Sequence, residues 1–489
     1  LKVTIIGAGI GGLTTAALMA AKGHEVTVFE KNECVGGKMN QVTESGFTFD
    51  TGPSLLTLPH LLEQVFEVCG ADINDYIQLK KLTPICRYWY PDGTRFDSYD
   101  DLPITQEEIR KIAPEDEQAY LSFLAYSKNL YDKTADAFIY NPLYDLKDLK
   151  ELDLISFFGI DAFSTVHKRI DQFFKSDYLR QFFKRFTTYN GSSPYQAPAT
   201  LNVIPHVELT LGGYYVDGGM YTIARSLFTL AKKLGAQFHF NKKIDRIHVE
   251  KGKARSVISG NATYQSDIVV ANSDATETIV YMMEPGKVST AKKRKTAAIE
   301  PSCSGFVLLL GLDTSYSELK HHNIFFSNDY RLEFQQIFDE KTMPEDPTIY
   351  IANTSFSNAE HAPEGGSNLF ILINAPYLSE QVNWDTEKDV YRKKIIRLLE
   401  DKGLSGLSSH IKFQKVITPR DFYDLYASNK GSIYGTSSND KFSAFVRPRN
   451  KSRQFDNLYF VGGSTHPGGG IPLVIQSAFN AVKLIDRYE

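Results

Sequence analysis

Gly7, Gly9 and Gly12 follow the β-branched run Val3-Thr4-Ile5-Ile6, and Glu30 comes eighteen positions after Gly12. These types at these spacings can hold a dinucleotide. Gly7 allows a tight turn out of the strand, Gly9 lets the backbone approach a pyrophosphate, and Gly12 lets the next helix pack closely on the strand. The helix then turns unpaired N–H groups and its positive dipole end toward the phosphates. Glu30 lies near the ~20-residue spacing at which a carboxylate accepts ribose hydroxyls. A glycine pattern alone also fits a loop that merely needs glycine. Strand, helix, second strand and terminal acid in that order argue for the nucleotide.

Further residues decide which dinucleotide. Gly36 and Gly37 with Lys38 can close over the same phosphates, Lys38 adding charge, and Gly52-Pro53-Ser54 forms another turn in which Ser54 can bond a ligand. A nicotinamide site does not usually need this equipment, whereas FAD, which lies extended through a protein, does. Near the other end Gly462 and Gly463 lead through Thr465, His466, Pro467 and Gly468 to Ile471 and Pro472. This second glycine-rich turn, the strand opening at Ile244 and the polar turn at Asn272 are assigned to the same cofactor.

These residues need a scaffold to place them. Leu13 to Lys22 reads as an Ala- and Leu-rich helix stopped by Gly23, and Glu25 to Glu30 as a strand. Residues 117 to about 189 read mostly as helix, with Phe163, Val166, Ile170 and Phe174 on one stripe and Leu179, Phe182, Phe183 and Phe186 on another. Lys168, Arg169, Lys175, Arg180, Lys184 and Arg185 are interleaved with them. Such helices suit either a membrane interface or a core with a solvated basic face. Past residue 210 a helix over Ile223 to Leu234 and strands at Phe238, Ile244 and Ile268 return to nucleotide-domain character. The expected fold is therefore α/β: a discontinuous Rossmann-like FAD-binding domain over 1–100, 211–285 and 416–489. A helical substrate and membrane-associating insertion would span 101–210, and an α+β substrate insertion 286–415.

Composition is compatible with two or three globular domains, at 42% hydrophobic residues and a net charge of −4. That balance argues against a nucleic-acid partner. Cys34, Cys69, Cys86 and Cys303 lack CxxC or framework spacing, so reduced thiols in the cytoplasm are expected. With the first strand starting at Val3, no signal peptide is expected, and no apolar run reaches the ~18 residues of a membrane span. No metal-ligand spacing is present.

The motifs Gly36-Gly-Lys38, Phe49-Asp-Thr-Gly-Pro-Ser54, Tyr189-Asn-Gly191, Gly218-Gly-Met220, Ala271-Asn-Ser-Asp274, His321-His-Asn-Ile-Phe-Phe326, Thr418-Pro-Arg-Asp-Phe422 and Thr465-His-Pro-Gly468 together resemble the bacterial carotenoid desaturases. These are the phytoene-desaturase-like flavoproteins of the wider amine-oxidase superfamily. Tyr189 to Tyr195, Ala197 to Thr200 and His206-Val-Glu208 look most like the hydroxycarotenoid 3,4-desaturase branch; Leu473 departs from the glycine that many phytoene desaturases have after the proline.

The resemblance implies noncovalent FAD, a hydrophobic tunnel for a C40 polyene such as 1′-hydroxy-γ-carotene, and peripheral attachment to the inner membrane. It raises the interfacial reading of Phe157 to Phe186. Introducing a C=C bond beside a polyene removes a hydride equivalent and a proton, with oxygen or a quinone as final electron acceptor. His206, Glu208 and His321 are the candidate proton acceptors, each equally readable as a hydrogen-bonded structural residue, and His466 is read as a flavin-site residue. A phytoene or dehydrosqualene desaturase is the alternative within the class. A redox-neutral carotenoid isomerase or a soluble amine oxidase is the alternative outside it.

Overall fold

The computed structural model describes residues 1–142, 144–145, 160–439 and 447–489. Lys2–Ile6 is the centre of a five-stranded parallel sheet ordered Leu458–Phe460, Ile268–Ala271, Lys2–Ile6, Glu25–Phe29, Gln237–His239. Parallel strands covered on both faces must be apolar along their whole length, and all four residues of Ile268–Ala271 are buried. The helix Ile10–Ala21 lies between Tyr221–Lys233 and Ile471–Tyr488. It is buried nearly all round, and its small residues Ala16, Ala17 and Ala20 allow that close packing. Full burial of Leu13 contributes about 2 kcal/mol. Gly23, at φ +81°, stops the helix, its N–H bonded to the Ala20 carbonyl at 2.9 Å.

The second sheet has seven strands in the order Ile411–Ile417, Ser304–Leu312, Ser367–Ala375, Ile349–Ala352, His322–Phe325, Cys86–Trp89, Arg95–Ser98. Only the pairing of His322–Phe325 with Cys86–Trp89 is parallel. The period of two sorts its longest strand: Phe306, Leu308 and Leu310 pack with Ile395 and Leu399 of the helix Trp384–Asp401, while Val307 and Leu309 join Phe47 and Phe49 on the opposite face. The expected limit at residue 100 therefore changes. Residues 86–98, read as nucleotide-binding sequence, pair as the far edge of this sheet because Cys86–Trp89 finds its partner at His322–Phe325.

A helical layer of Glu117–Ala135, Val166–Phe173 and Asp177–Lys184 covers that edge. Leu179, Phe182, Phe183 and Phe186 are buried against Tyr88, Phe96 and Phe123. This corrects the interfacial reading of that stripe: its aromatics pack on protein. Of the interleaved cations, Lys184 pairs with Asp171 at 2.6 Å and Arg169 with Asp161 at 2.5 Å. Phe163 alone of the two stripes is exposed, at 78%, because it precedes the helix that Thr165 caps. Phe157 lies outside the described residues. Among the described residues no helix is long and apolar enough to cross a membrane, and no cluster of His, Cys, Asp or Glu suits a metal ion. All four cysteines are free.

Candidate active site

The carboxyl ends of the parallel strands open onto a cavity of about 480 Å³ whose wall continues onto the seven-stranded sheet. At the nucleotide end the wall is backbone. A Cβ on Gly12 would stand 2.1 Å from the Gly7 carbonyl oxygen, and one on Gly11 would stand 2.7 Å from Asn272 Oδ1 and 3.0 Å from the Gly462 nitrogen. The opening and closing turns therefore meet across Asn272, whose Nδ2 donates to the Gly7 carbonyl at 3.3 Å. Glu30 is buried beside them, its Oε2 accepting from Ala8 N–H at 2.7 Å and its Oε1 from Asn32 N–H at 2.9 Å. A carboxylate has about four acceptor positions, so two stay free for a ribose. A close-packed glycine turn at a helix N-terminus, with an acid at the next strand end, fits the dinucleotide portion of FAD.

Gly7, Gly9, Glu30, Gly36, Gly37, Lys38, Gly52, Pro53, Ser54, Ile244, Asn272, Gly462, Gly463, Ile471 and Pro472 all border the cavity. Lys38 borders it differently from expectation. Its ammonium donates to the Ser432 and Ile433 carbonyls, at 3.0 and 2.7 Å, rather than extending free toward phosphate. Burial draws it down to about 8, against the opposing pull of Asp274. Asp50 fixes the neighbouring turn by accepting from Met220 N–H at 2.9 Å, Tyr221 N–H at 3.1 Å and the Tyr215 hydroxyl at 3.1 Å.

Beyond the cradle the wall turns largely apolar, with Ile85, Val307, Ile324, Phe370 and Leu372 on it. Two polar groups interrupt it. In one, the Tyr350 hydroxyl bonds both Ser54 Oγ and, at 2.7 Å, His322 Nδ1. Burial holds His322 well below the ordinary imidazole range, so it is neutral at pH 7. In the other, the Arg185 Nη2 donates to Glu208 Oε1 at 2.6 Å and to the Tyr88 hydroxyl, while the Tyr189 hydroxyl donates to Glu208 Oε2. Behind the wall, Glu333 accepts from Ser327 and from the cavity residue Thr348, both at 2.7 Å, and burial lifts it to about 7.

Of the three candidate proton acceptors only Glu208 borders the cavity. His206 packs its ring against Tyr131, and its backbone N–H bonds Ser127 Oγ at 2.9 Å. His321 bonds Ser357 Oγ at 2.7 Å and yields its expected place to His322, since neighbouring residues of a strand point to opposite faces. The closing turn divides similarly. Gly469, Gly470, Ile471 and Pro472 border the cavity, whereas Thr465, His466, Pro467 and Gly468 stand outside it. Thr465 bonds the Gly462 carbonyl at 2.9 Å, and His466 Nε2 meets the Asn141 carbonyl at 3.0 Å, where burial draws it down to about 4. Gly12 likewise acts through packing on Gly7. Arg185 and Tyr350 are the wall residues the sequence reading missed. Arg185 was legible only as one of several basic residues on a helix.

The family description "flavin containing amine oxidoreductase" matches residues 10–486. A 1-hydroxycarotenoid 3,4-desaturase from Flavobacterium sp. is 37% identical over 99% of this chain and 99% of its own. A 4,4′-diaponeurosporene oxygenase from Staphylococcus aureus is 34% identical over 100% of this chain and 98% of its own. An oxidoreductase structure from Methanosarcina mazei, 16% identical, superposes with a TM-score of 0.65 over 99% of this chain and 100% of that one, which supports the fold. The chain belongs to the flavin-containing amine oxidoreductases, as an FAD-dependent oxidoreductase of the carotenoid-desaturase-like kind.

Proposed function

We propose that this protein is a carotenoid desaturase, and more finely a 1-hydroxycarotenoid 3,4-desaturase acting on a C40 polyene of the 1′-hydroxy-γ-carotene kind. The observation that carries this reading is one continuous cavity, with a glycine-built dinucleotide cradle at one end and a mostly apolar chamber at the other. The full-length similarity to the Flavobacterium enzyme supports the finer substrate. Bound FAD supplies a hydride acceptor, so neither a metal nor a covalent nucleophile is required.

The chain's own contribution is positioning and exclusion of water. Val307, Phe370 and Leu372 offer the polyene an apolar face, and the Ser54–Tyr350–His322 chain stays neutral beside it. Glu333, reached from the wall through Thr348, is the carboxyl group placed to hold the departing proton, whereas Glu208 on the wall is engaged by Arg185 and Tyr189. Reoxidation by oxygen or a quinone, and peripheral attachment to the cytoplasmic side of the inner membrane, belong to the same proposal, since the substrate is dissolved in lipid. Flotation with anionic vesicles tests the attachment; a protein left wholly in the aqueous fraction would remove it.

The test of function is incubation of the holoenzyme with lycopene, γ-carotene and their 1-hydroxy derivatives in liposomes, followed by absorbance and mass. The expected product has lost two hydrogens and absorbs further to the red. A second reading, oxidation at a polyene terminus, is favoured by the whole-chain similarity to the Staphylococcus aureus oxygenase and would give a product that gains oxygen. An unchanged mass would indicate isomerisation. Turnover of amines without turnover of any polyene would defeat the carotenoid reading.

A further inference from the structure

Arg185 and Glu208 form a buried ion pair, with side chains 7% and 1% exposed, on a wall that is otherwise largely apolar. Removing two charges from water is costly, and apolar side chains of similar volume commonly fill such a place at no loss of stability. Packing alone therefore gives no reason for the pair. Its hydrogen bonds are also incomplete. Arg185 Nη2 is used by Glu208 and Tyr88, but its buried Nε–H has no partner among the described residues. Glu208 accepts from Arg185 and Tyr189, which fills two of about four acceptor positions. Donor capacity on the guanidinium and about two acceptor positions on the carboxylate remain side by side.

We infer that Arg185, Glu208 and Tyr189 form the recognition site for a terminal hydroxyl on the polyene. This rests on the carotenoid-desaturase reading above and names the feature by which that cavity selects its substrate. An alcohol both donates and accepts, so it can give its proton to a hydrogen bond with Glu208 while taking one from the guanidinium. A carbonyl accepts only and would leave the carboxylate unanswered. An unfunctionalised hydrocarbon end would leave the spare donor and acceptor capacity of the pair buried and unmet, a penalty that can reject a substrate lacking the expected hydroxyl by orders of magnitude. Tyr350 cannot serve in the same way, because Ser54 and His322 already occupy its hydroxyl. Anchoring one end of a long, uniform polyene also fixes its register, and so which carbon pair faces the flavin.

The test uses the FAD-loaded protein with a 1-hydroxycarotene and its unhydroxylated parent in liposomes, measuring kcat/KM for each and the dissociation constant of each by quenching of protein fluorescence. Wild type is expected to favour the hydroxylated substrate by about 10-fold or more. Glu208→Gln should lower kcat/KM for that substrate by about 10- to 100-fold, chiefly through binding, while changing the parent by less than about threefold. Because Glu208→Gln strands a buried guanidinium, the double variant Arg185→Met with Glu208→Leu is measured beside it. It leaves no charge unpaired and should turn over both substrates alike with FAD content unchanged. Loss of turnover on both substrates with binding intact would make Glu208 part of the chemistry and overturn the recognition role, as would a wild type indifferent to the hydroxyl. A wild type that transforms neither polyene defeats the desaturase reading itself, a different result.

Discussion

Around Gly7 and Gly12 the groups facing the cavity are backbone, brought close because no Cβ intervenes; around Arg185 they are long charged side chains drawn from separate elements. The cradle holds its charged ligand with neutral backbone dipoles, the N–H groups that a helix start leaves without intrahelical partners. The chamber holds its polar group with ions, which are expensive to bury and stable only while paired. The first design tolerates almost no added volume and the second almost no change of charge.

The largest expected effect breaks that contrast directly. Arg185→Met alone should destabilise the protein by about 3–5 kcal/mol, because it leaves Glu208 charged and unpaired, whereas the double variant should recover most of that. Thermal melts of the three proteins decide it, and equal losses in single and double variants would mean the pair is not the source.

Acid is the next probe. Burial holds His321 at about 3 and His466 at about 4, both below the ordinary 6.5. Their folded values are depressed, so the unfolded chain gains protons first. Stability is complete above pH 6.5 and falls as the pH drops toward 4, by about 1.4 kcal/mol per pH unit for each imidazole. Melting temperatures that stayed flat between pH 7 and 5 would contradict neutral, buried imidazoles.

On the cradle side, Gly12→Ala should cost about 1–3 kcal/mol by overpacking against the Gly7 carbonyl, and the purified protein should be largely free of FAD. Glu30→Ala should be milder. It should lose FAD retention while keeping the fold, since Ala8 and Asn32 lose a partner at the cradle rim only; full flavin content after gel filtration would remove Glu30 from the ribose site. The smallest effect is expected at His206→Gln, which touches neither region. Turnover should stay within about twofold, and a larger loss would place His206 back among the reacting groups.

The same contrast governs what could be read from sequence. Gly7, Gly9, Gly12 and Glu30 are legible because their constraints are local: a turn, a close approach, a strand end. The chamber wall joins Ser54, Arg185, Glu208, His322 and Tyr350 across the chain, and no local pattern specifies those partners. The His321–His322 pair was visible as a pair, yet strand alternation alone does not say which member faces inward. Leu179 to Phe186 was visible as an apolar stripe, which looks the same whether lipid or Tyr88 and Phe96 will cover it. Thr465 to Gly468 is a recognisable word, but the neighbouring Gly469 to Pro472 reaches the cavity.

The strand order also bears on how the chain is made. Lys2–Ile6 is made before every other strand of its sheet, which waits for Gln237–His239 and Ile268–Ala271 and closes only with Leu458–Phe460, and the helix Ile471–Tyr488 that covers Ile10–Ala21 follows that strand. Since long-range parallel pairings form slowly and leave strand edges open meanwhile, the nascent chain carries a half-built nucleotide site from Lys2–Ile6 until Leu458–Phe460 is made. Cofactor capture therefore waits until Leu458–Phe460 has been made, and FAD supply from that moment should set how much of the protein escapes aggregation.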